Sequence, residues 1–181
     1  MTLPVANATQ RTRVRALAAC LLACTLAAGL AACSGSTSNQ PAFYQNLASS
    51  SGNLNEANAR DFINNYRRTQ GVGEVQLNPA LTSLARSYAA SLAANATASR
   101  PNPDGRLKGR LQSAGYEAAD VEESVTAGYH TFAEAFSGWR DSPPHRKTML
   151  MKNARDMGIA AHYAPNSKYR VYWVLVMAQP K

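Results

Sequence analysis

The last strand-like run of the chain is apolar on both of its faces. In a strand, successive side chains point to opposite faces of the sheet. In residues 169–177 (YRVYWVLVM), large apolar side chains occupy both sets of alternate positions. A strand of this kind has to be covered on both faces. Because helical patterns fill most of the chain before it, the sequence predicts an α+β fold, a three-layer α/β/α sandwich with a small, mostly antiparallel sheet.

Local signals mark where the other elements begin. Asn78 precedes Pro79 as a cap before the first helical position, and Thr131 with Glu134 fits a capping box. Ser142 before Pro143 predicts the cap of a further short helix. Two more helices are predicted over residues 55–71 and 106–115, a short extended piece over 122–128, and a strand over 157–164 that the turn at 165–168 joins to the last strand.

The first 32 residues have the composition of a secretory signal. Three arginines and no acid lie in residues 1–15, and the run at 16–32 is almost wholly apolar. It is shorter than the roughly 20 residues of a spanning helix, so we interpret residues 1–32 as a signal peptide. The junction Leu30-Ala31-Ala32-Cys33 resembles a bacterial lipobox, which predicts lipidation of Cys33. Cys20 ends a similar pattern with too little apolar sequence before it, and a simple secretion signal or an uncleaved anchor is the alternative.

A polar segment follows the predicted lipid attachment. Residues 33–54 are rich in Ser, Asn and Gly, which predicts a flexible tether to a domain over residues 55–181. Phe43, Tyr44 and Leu47 interrupt the segment and are candidates for docking on the domain. Ser34 rather than aspartate follows the cysteine, which resembles outer-membrane lipoproteins. We therefore expect an exported, lipid-anchored protein at the outer membrane, facing the periplasm, or at the cell surface.

Processing at Cys33 changes the composition that bears on function. It removes Cys20 and Cys24, so the domain keeps no cysteine for a disulfide, a thiolate nucleophile or a metal. It removes three of the 19 basic residues and none of the 11 acidic ones, so the remaining chain stays basic. In an exported protein this charge favours anionic lipid head groups and cell-wall polymers as partners over nucleic acid, although a solvated charged face is equally compatible. One basic group contains Arg100, Arg106, Lys108 and Arg110.

Four segments carry a resemblance to a known family. They are Asn78-Pro79-Ala80-Leu81 at a helix start, the Glu-rich strand 122–128, Trp139-x-x-Ser142-Pro143-x-His145-Arg146, and Tyr172-Trp173-Val174. In this order and spacing they resemble the bacterial branch of the CAP superfamily (cysteine-rich secretory, antigen and pathogenesis-related proteins, with an SCP-like domain). The resemblance covers about residues 56–179, and the fold that it implies is again an α/β/α sandwich.

The resemblance also implies a cleft with histidines and acidic residues, which binds a divalent metal in some relatives. By position, Glu123 keeps the acidic place and His145 keeps that of one histidine. The other histidine, just before the Asp104-Gly105 turn, is matched here by Arg100. The predicted ligand-binding cleft is therefore lined by Arg100, Glu123, Ser142 and His145, although Ser142 also has the simpler role of a helix cap.

We expect no resident cofactor, because the predicted cleft is short of metal ligands. A zinc site needs roughly three or four N, S or O donors, and Arg100 supplies none while its fixed charge repels a cation. Glu123 and His145 would need His130 or Asp141 to complete a set for zinc. Arg100 could instead pair with Glu123 or hold an anionic ligand.

Three functions follow from this cleft. We expect a non-catalytic, envelope-anchored protein that binds a small apolar, lipid, sterol-like or cell-wall ligand, since the family is associated with such ligands and a general enzymatic activity is not established for it. The first alternative is a metal-assisted hydrolase of peptide or cell-wall bonds that uses Glu123 and His145 as acid and base. The second is a purely structural envelope protein with a filled cleft.

Overall fold

The computed structural model describes residues 40–97 and 99–181. The predicted signal peptide (1–32), the lipidation site Cys33 and residues 33–39 of the predicted tether lie outside the described residues. Within the two described ranges, no helix combines the length and the apolar character that crossing a bilayer requires.

Residues 40–54 belong to the folded domain, which corrects the prediction of a flexible tether up to residue 54. The Phe43 ring stacks on Phe62 with 3.9 Å between the ring centroids and 16° between the planes. Leu47 is 4% exposed and Leu54 is 7% exposed. Phe43 and Leu47 are two of the three residues that the sequence offered as docking candidates, and a few apolar side chains that find a surface to cover are enough to hold a polar segment in place.

Among the described residues, five α-helices follow a short 3-10 helix, and every helix predicted there is present. Asn78 caps the second α-helix by accepting hydrogen bonds from two backbone N–H groups, and Thr131 and Glu134 form the predicted capping box of the fourth. The bounds are Ala42–Tyr44 for the 3-10 helix, Glu56–Thr69 for α1, Pro79–Ala94 for α2, Leu107–Ser113 for α3, Phe132–Asp141 for α4 and Pro143–Met149 for α5.

Residues 40–97 and 99–181 form a sheet of four strands in the order β1-β3-β4-β2. β1 runs parallel to β3, whereas β4 pairs antiparallel with both of its neighbours, so the sheet is mixed and mostly antiparallel. β2 starts earlier than the predicted start at residue 122. The strand bounds are Gln76–Leu77 for β1, Ala118–Ala127 for β2, Asp156–Tyr163 for β3 and Val171–Pro180 for β4.

The central strand β4 is covered on both faces, as its sequence predicts. Trp173, Leu175 and Met177 belong to one core, which α1, α4 and α5 complete. The intervening residues of β4 belong to a second core, which α2 and α3 complete. The molecule is therefore an α/β/α sandwich, and the predicted fold class is confirmed. The members of the second core from β4 are Val174, Val176 and Ala178.

Helix α2 lies directly on β3. A Cβ atom at Gly158 would overlap the backbone of Leu81, so only glycine allows this approach. The close contact fixes α2 against the sheet and sets the position of the side chains at its C-terminal end, including Tyr88.

A buried arginine connects the helices of the other layer. Arg67 is 0% exposed, and its guanidinium donates hydrogen bonds to the backbone carbonyls of Gly73, Met149 and Met151 at 2.7, 2.7 and 3.1 Å. It thereby ties the end of α1 to the end of α5, where carbonyls lack partners within the helix. No sequence pattern indicates this role, because the three acceptors are main-chain groups.

Candidate functional site

The two central residues of the predicted cleft lie on opposite faces of the sheet. Along β2, Glu123 is paired with Val176 and Ser124 with Leu175, and paired residues project to the same face. Val176 belongs to the core beneath α2, and Leu175 to the core beneath α1 and α4. Glu123 therefore faces the layer of α2 and α3, while His145 contacts Ser124 on the other face. The single cleft predicted around Glu123 and His145 is split by the sheet.

On the α2 face, Arg110 holds the carboxylate of Glu123. Its Nη2 atom donates to both carboxylate oxygens at 2.8 and 2.7 Å, and its Nη1 atom donates to Asp104 at 2.6 Å. The Glu123 side chain is 5% exposed. The guanidinium carbon lies 3.6 Å from the ring centroid of Tyr88, within the range of a cation–π contact. We call Asp104, Arg110 and Glu123 the charge cluster.

Burial and hydrogen bonding compete at the charge cluster. Burial raises the pKa of Glu123, and the hydrogen bonds from Arg110 oppose that shift. Burial alone would lower the pKa of Arg110, but its bonds to Asp104 and Glu123 outweigh this effect and raise it. The hydrogen bond from Arg110 lowers the pKa of Asp104. The cluster is thus a bonded group of ions in which each charge already has a partner.

On the opposite face, His145 forms a pair with a buried serine. The Nδ1 atom of His145 lies 3.1 Å from the hydroxyl of Ser124, and Ser124 is 1% exposed. The ring of His145 is half-buried, and this burial lowers its pKa. Two residues away on each element, Lys147 bonds to Glu122 at 2.7 Å at the protein surface.

Ser142 lies at the N-cap position of α5, but its side chain makes no capping hydrogen bond. A cap accepts from the N–H of the second or third helical residue, and the second residue here, Pro144, has no N–H. Ser142 does not line any of the three cavities described below.

Arg100 does not meet Glu123. Its guanidinium lies 5.6 Å from the ring centroid of Tyr129 and 5.9 Å from that of Tyr169, beside Gly128 at the end of β2. The predicted ion pair is formed by Arg110 instead. Arg110 lies in helix α3, whose neighbouring residue Leu111 is buried in the same core that Glu123 faces, whereas Arg100 lies in a loop that leads past the end of the strand.

The residues of the predicted cleft do not fit a shared metal ion. Both carboxylate oxygens of Glu123 accept from a guanidinium, and His145 lies across the sheet from it. His130 is near the start of α4, and Asp141 pairs with its neighbour Arg140. Across residues 40–97 and 99–181, His, Cys, Asp and Glu side chains form no group of three or more that could hold an ion.

A cavity opens beside the charge cluster, at the C-terminal end of α2. It has a volume of about 340 Å³. Tyr172 lines it from the sheet; this side chain is 1% exposed, and its hydroxyl has no hydrogen-bond partner in the part of the chain that the structure describes. We call this cavity the α2 pocket; its wall consists of Tyr88, Ser91, Leu92, Asn95, Ala96, Thr97, Ser99, Pro101, Asn102, Asp104, Arg106 and Tyr172.

A second cavity of about 490 Å³ lies between α2 and α3, and we call it the α2–α3 groove. Arg106 lines both cavities. A third, of about 600 Å³, lies at the surface between the end of α2 and the turn that joins β3 to β4. The groove is lined by Ser83, Leu84, Ser87, Arg106, Gly109, Arg110, Ser113 and Ala114.

Sequence reasoning missed several residues of the α2 face. It placed Arg110 in a basic group without a partner, and it did not single out Tyr88. One signal was available: Glu123 and Ser124 are neighbours in a strand, so their side chains have to point to opposite faces. The partners of Glu123 and the free hydroxyl of Tyr172 had no such signal, because contacts between separate elements decide them.

Fold and comparisons together identify the class of protein. The family model described as the cysteine-rich secretory protein family, CAP, matches residues 60–177. The chain therefore belongs to the CAP family, and the resemblance stated from the four sequence segments is confirmed. A search of curated protein sequences found no match.

Solved structures of three bacterial proteins share the fold. An extracellular protein with an SCP domain from Bacillus anthracis has 19% identity and a TM-score of 0.57, over 68% of this chain and 39% of that one. A cysteine-rich secretory protein from Staphylococcus aureus has 18% identity and a TM-score of 0.56, over 72% and 41%. This chain thus spans about two fifths of the length of these two proteins.

An outer surface protein from Borrelia burgdorferi is matched over most of its length. It has 15% identity and a TM-score of 0.60, over 70% of this chain and 92% of that one. At this level of identity the three likenesses show the fold.

Proposed function

We propose that this protein is a non-catalytic binding protein of the bacterial cell envelope that holds a small ligand in the α2 pocket. The observation that carries the proposal is the cavity of about 340 Å³ beside the charge cluster. This volume falls within the range of roughly 300–1,000 Å³ of small-molecule sites. The wall combines the rings of Tyr88 and Tyr172 with a few polar groups, the mixture that orients a ligand in such sites.

The burial of Glu123 and its two hydrogen bonds to Arg110 support a binding function over hydrolysis. A general acid or base has to reach the proton that it transfers, whereas the Glu123 carboxylate is 5% exposed and bonded twice to Arg110. His145, its partner in the hydrolase alternative, contacts the opposite face of the sheet. The hydrolase alternative therefore has no pair of groups that could act on one substrate.

The hydroxyl of Ser124 and the ring of His145 form the other arrangement that could suggest catalysis. A serine within hydrogen-bond distance of a histidine resembles a nucleophile with its base. Ser124, however, is 1% exposed and belongs to the interior strand surface beneath α5. A substrate carbonyl could not approach its oxygen, so this pair supports a structural role.

Sequence features and relatives support placement in the envelope. Residues 1–32 have the pattern of a signal peptide and Cys33 ends a lipobox. Two of the structural neighbours are named as an extracellular and an outer surface protein. The proposal is that this protein is exported and anchored through a lipid on Cys33, at the outer membrane facing the periplasm or at the cell surface.

The two cavities on the α2 face suit different ligands. The α2–α3 groove contains Leu84 and Ala114 and would suit the apolar ligand expected from the family resemblance. The α2 pocket carries more hydroxyl and amide groups and would suit a cell-wall component. We assign the ligand to the α2 pocket because the charge cluster and the unpartnered hydroxyl of Tyr172 adjoin it.

Two blocking substitutions separate the cavities. Ser91 is an exposed residue of α2 that lines the pocket, and Gly109 is a residue of α3 at which a Cβ atom would meet nothing within 4 Å. Small molecules are released by denaturation from the purified exported protein and from its Ser91→Trp and Gly109→Trp variants, and identified by mass spectrometry. We expect a species that is present in the parent and in Gly109→Trp and is absent from Ser91→Trp.

The other results are equally informative. A species lost only in Gly109→Trp would move the ligand to the groove and contradict the assignment to the pocket. The absence of any bound species in all three proteins would favour the purely structural alternative.

A further inference from the structure

The wall of the α2 pocket is rich in groups that both donate and accept hydrogen bonds. Ser91, Asn95 and Asn102 lie in it, together with Tyr172, whose buried hydroxyl has no hydrogen-bond partner among the described residues. Hydroxyl and amide side chains each offer a donor and an acceptor. A ligand with several hydroxyl groups can use both, whereas an acyl chain would leave these groups without partners at a cost in affinity.

The charges of the pocket favour an acidic group at one end. The carboxylate of Asp104 is already bonded to Arg110 at 2.6 Å. Arg106 is exposed at the pocket wall, and within the described chain its guanidinium forms no ion pair. Asp104 and Glu123 carry two negative charges and Arg110 one positive charge, so the positive charge of Arg106 brings the sum to zero. Arg106 is still the guanidinium of the pocket wall that no ion pair among the described residues occupies, and a guanidinium binds carboxylates by two parallel hydrogen bonds.

At the other end of the pocket, the C-terminus of α2 favours hydrogen-bond donors of a ligand. The last carbonyls of a helix lack partners within it and carry the negative end of its dipole. Here the carbonyl of Ser91 already accepts from the side-chain amide and the backbone N–H of Asn95 at 2.8 and 3.1 Å. The amide oxygen of Asn95 and the hydroxyl of Ser91 are therefore the acceptors that these two residues offer at the pocket wall. A ligand is thus oriented with its acid toward Arg106 and its hydroxyl donors toward the end of α2.

The hydroxyl of Tyr172 gives a second, independent indication of a polar ligand. A buried hydroxyl without a partner is costly, and such groups are rare in folded proteins. Tyr172 lies on the face of β4 that α2 covers, at the sheet side of the pocket. A hydroxyl group of a bound ligand that meets it would satisfy both groups.

We propose that the α2 pocket binds a small polyhydroxylated acid, a sugar acid with one carboxylate, in which the acid meets Arg106 and the hydroxyls meet the end of α2 and Tyr172. This inference rests on the proposed binding function and names its ligand class. The same chemistry occurs in free sugar acids and in acidic sugars at the end of a polymer, and the size of the pocket fits one sugar unit.

Calorimetric titrations test the ligand class. The purified exported protein is titrated with D-glucuronate, D-galacturonate and N-acetylmuramate, with D-glucose as the neutral analogue and with inorganic phosphate as a simple anion. We expect at least one sugar acid to bind about tenfold or more tightly than glucose and phosphate, since a hydrogen-bonded ion pair contributes about that factor. A longer acidic oligosaccharide that binds better than the single unit would identify the polymer as the source.

Matched variants test the residues. Arg106→Gln is expected to abolish the preference for the acid over glucose, whereas Lys108→Gln removes the same charge two positions away, outside the pocket wall, and is expected to leave it. Tyr172→Phe is expected to weaken the acid and glucose alike by up to about tenfold. Because these changes are small, they keep the test valid even where Ser91→Trp fails to fold.

Three results would overturn the inference. The first is that none of the sugar acids binds. The second is that phosphate binds as tightly as the sugar acids do. The third is that the Arg106→Gln variant still prefers the sugar acid over glucose. The proposed function has its own readout. If the sugar acids fail but a released species is still lost in Ser91→Trp, only the ligand class is wrong; if that species is missing too, both proposals fall.

Discussion

Glu123 owes its charge state to one guanidinium. Arg110 contacts its carboxylate, the carboxylate of Asp104 and the ring of Tyr88 at the same time. A carboxylate with a side chain exposed by only 5% cannot be hydrated in place of that partner. The stability of the α2 face therefore depends on the pair being complete, and the loss of one member differs from the loss of both.

We predict that Arg110→Met lowers the free energy of unfolding by about 3 kcal/mol, because it leaves Glu123 buried without a partner. The double variant Arg110→Met, Glu123→Leu should be more stable than Arg110→Met alone. Urea denaturation of the parent, of Arg110→Met, of Glu123→Leu and of the double variant gives the coupling energy between the two side chains.

An exposed ion pair serves as the control for this cycle. Arg68 and Glu74 are 60% and 54% exposed in their side chains, so Arg68→Met should change stability by no more than about 1 kcal/mol. A double variant that is less stable than Arg110→Met would show that the buried charge of Glu123 is not the source of the effect.

The half-buried ring of His145 makes stability depend on pH. Burial places its pKa in the folded state below the ordinary value of 6.5. The unfolded chain therefore binds a proton first as the pH falls, and stability is lost between 6.5 and the lower folded value. We predict that the melting temperature of the parent falls more steeply between about pH 8 and pH 5 than that of His145→Gln.

His162 provides the matched histidine for this comparison. It lies exposed in β3, so His162→Gln should retain the steep decline of the parent. Equal slopes for the parent and His145→Gln would mean that protonation of His145 does not oppose folding.

At the scale of elements, the segment before α1 acts as an additional layer of packing. Phe43 stacks on Phe62 of α1 and meets Phe132 of α4 edge-on with 5.4 Å between centroids. One residue later, Tyr44 is 51% exposed. Two adjacent aromatic residues therefore have different roles, which the sequence pattern did not distinguish.

We predict that Phe43→Ala lowers the free energy of unfolding by about 2–3 kcal/mol, since a stacked and partly buried ring is removed. It should also open the segment before α1 to limited proteolysis in the folded protein. Tyr44→Ala is the control, with an expected change within about 0.5 kcal/mol. Similar effects of the two substitutions on stability and cleavage would contradict the docking of Phe43.

At the scale of the whole molecule, the sandwich keeps its two faces apart. The sheet separates the charge cluster and both α2-side cavities from the pair of His145 and Ser124. A ligand in the α2 pocket, as we propose, would leave the other face of the sheet uncovered by that ligand. The proposed lipid anchor at Cys33 also concerns the whole molecule, because it would decide at which membrane the domain meets its ligand.

We predict that Cys33→Ser transfers nearly all of the protein from the membrane fraction to the soluble exported fraction, because the lipid supplies the membrane affinity. Fractionation followed by immunoblotting measures this. Cys20→Ser is the control and should remain with the membrane. A Cys33→Ser protein that stays in the membrane fraction would favour the uncleaved anchor.

The sequence by itself determined the elements and their layering. The doubly apolar run before the C-terminus required cover on two faces, and the caps at Asn78 and Thr131 fixed two helix starts, because periodicity and capping act between residues close in the chain. The family resemblance singled out Glu123 as the acid of the predicted cleft, and the structure buries its side chain against Arg110. Glu123 and Ser124 are also neighbours in a strand, so the sequence already implied that their side chains face opposite sides of the sheet.

Only the tertiary structure decided which groups meet. Arg100 and Arg110 are both arginines near the same turn, and the packing of α3 against the second core is what brings Arg110, rather than Arg100, to Glu123. The side of the sheet on which α5 docks decides that His145 meets Ser124. Such contacts depend on how separate elements pack, and neither spacing nor composition records that geometry.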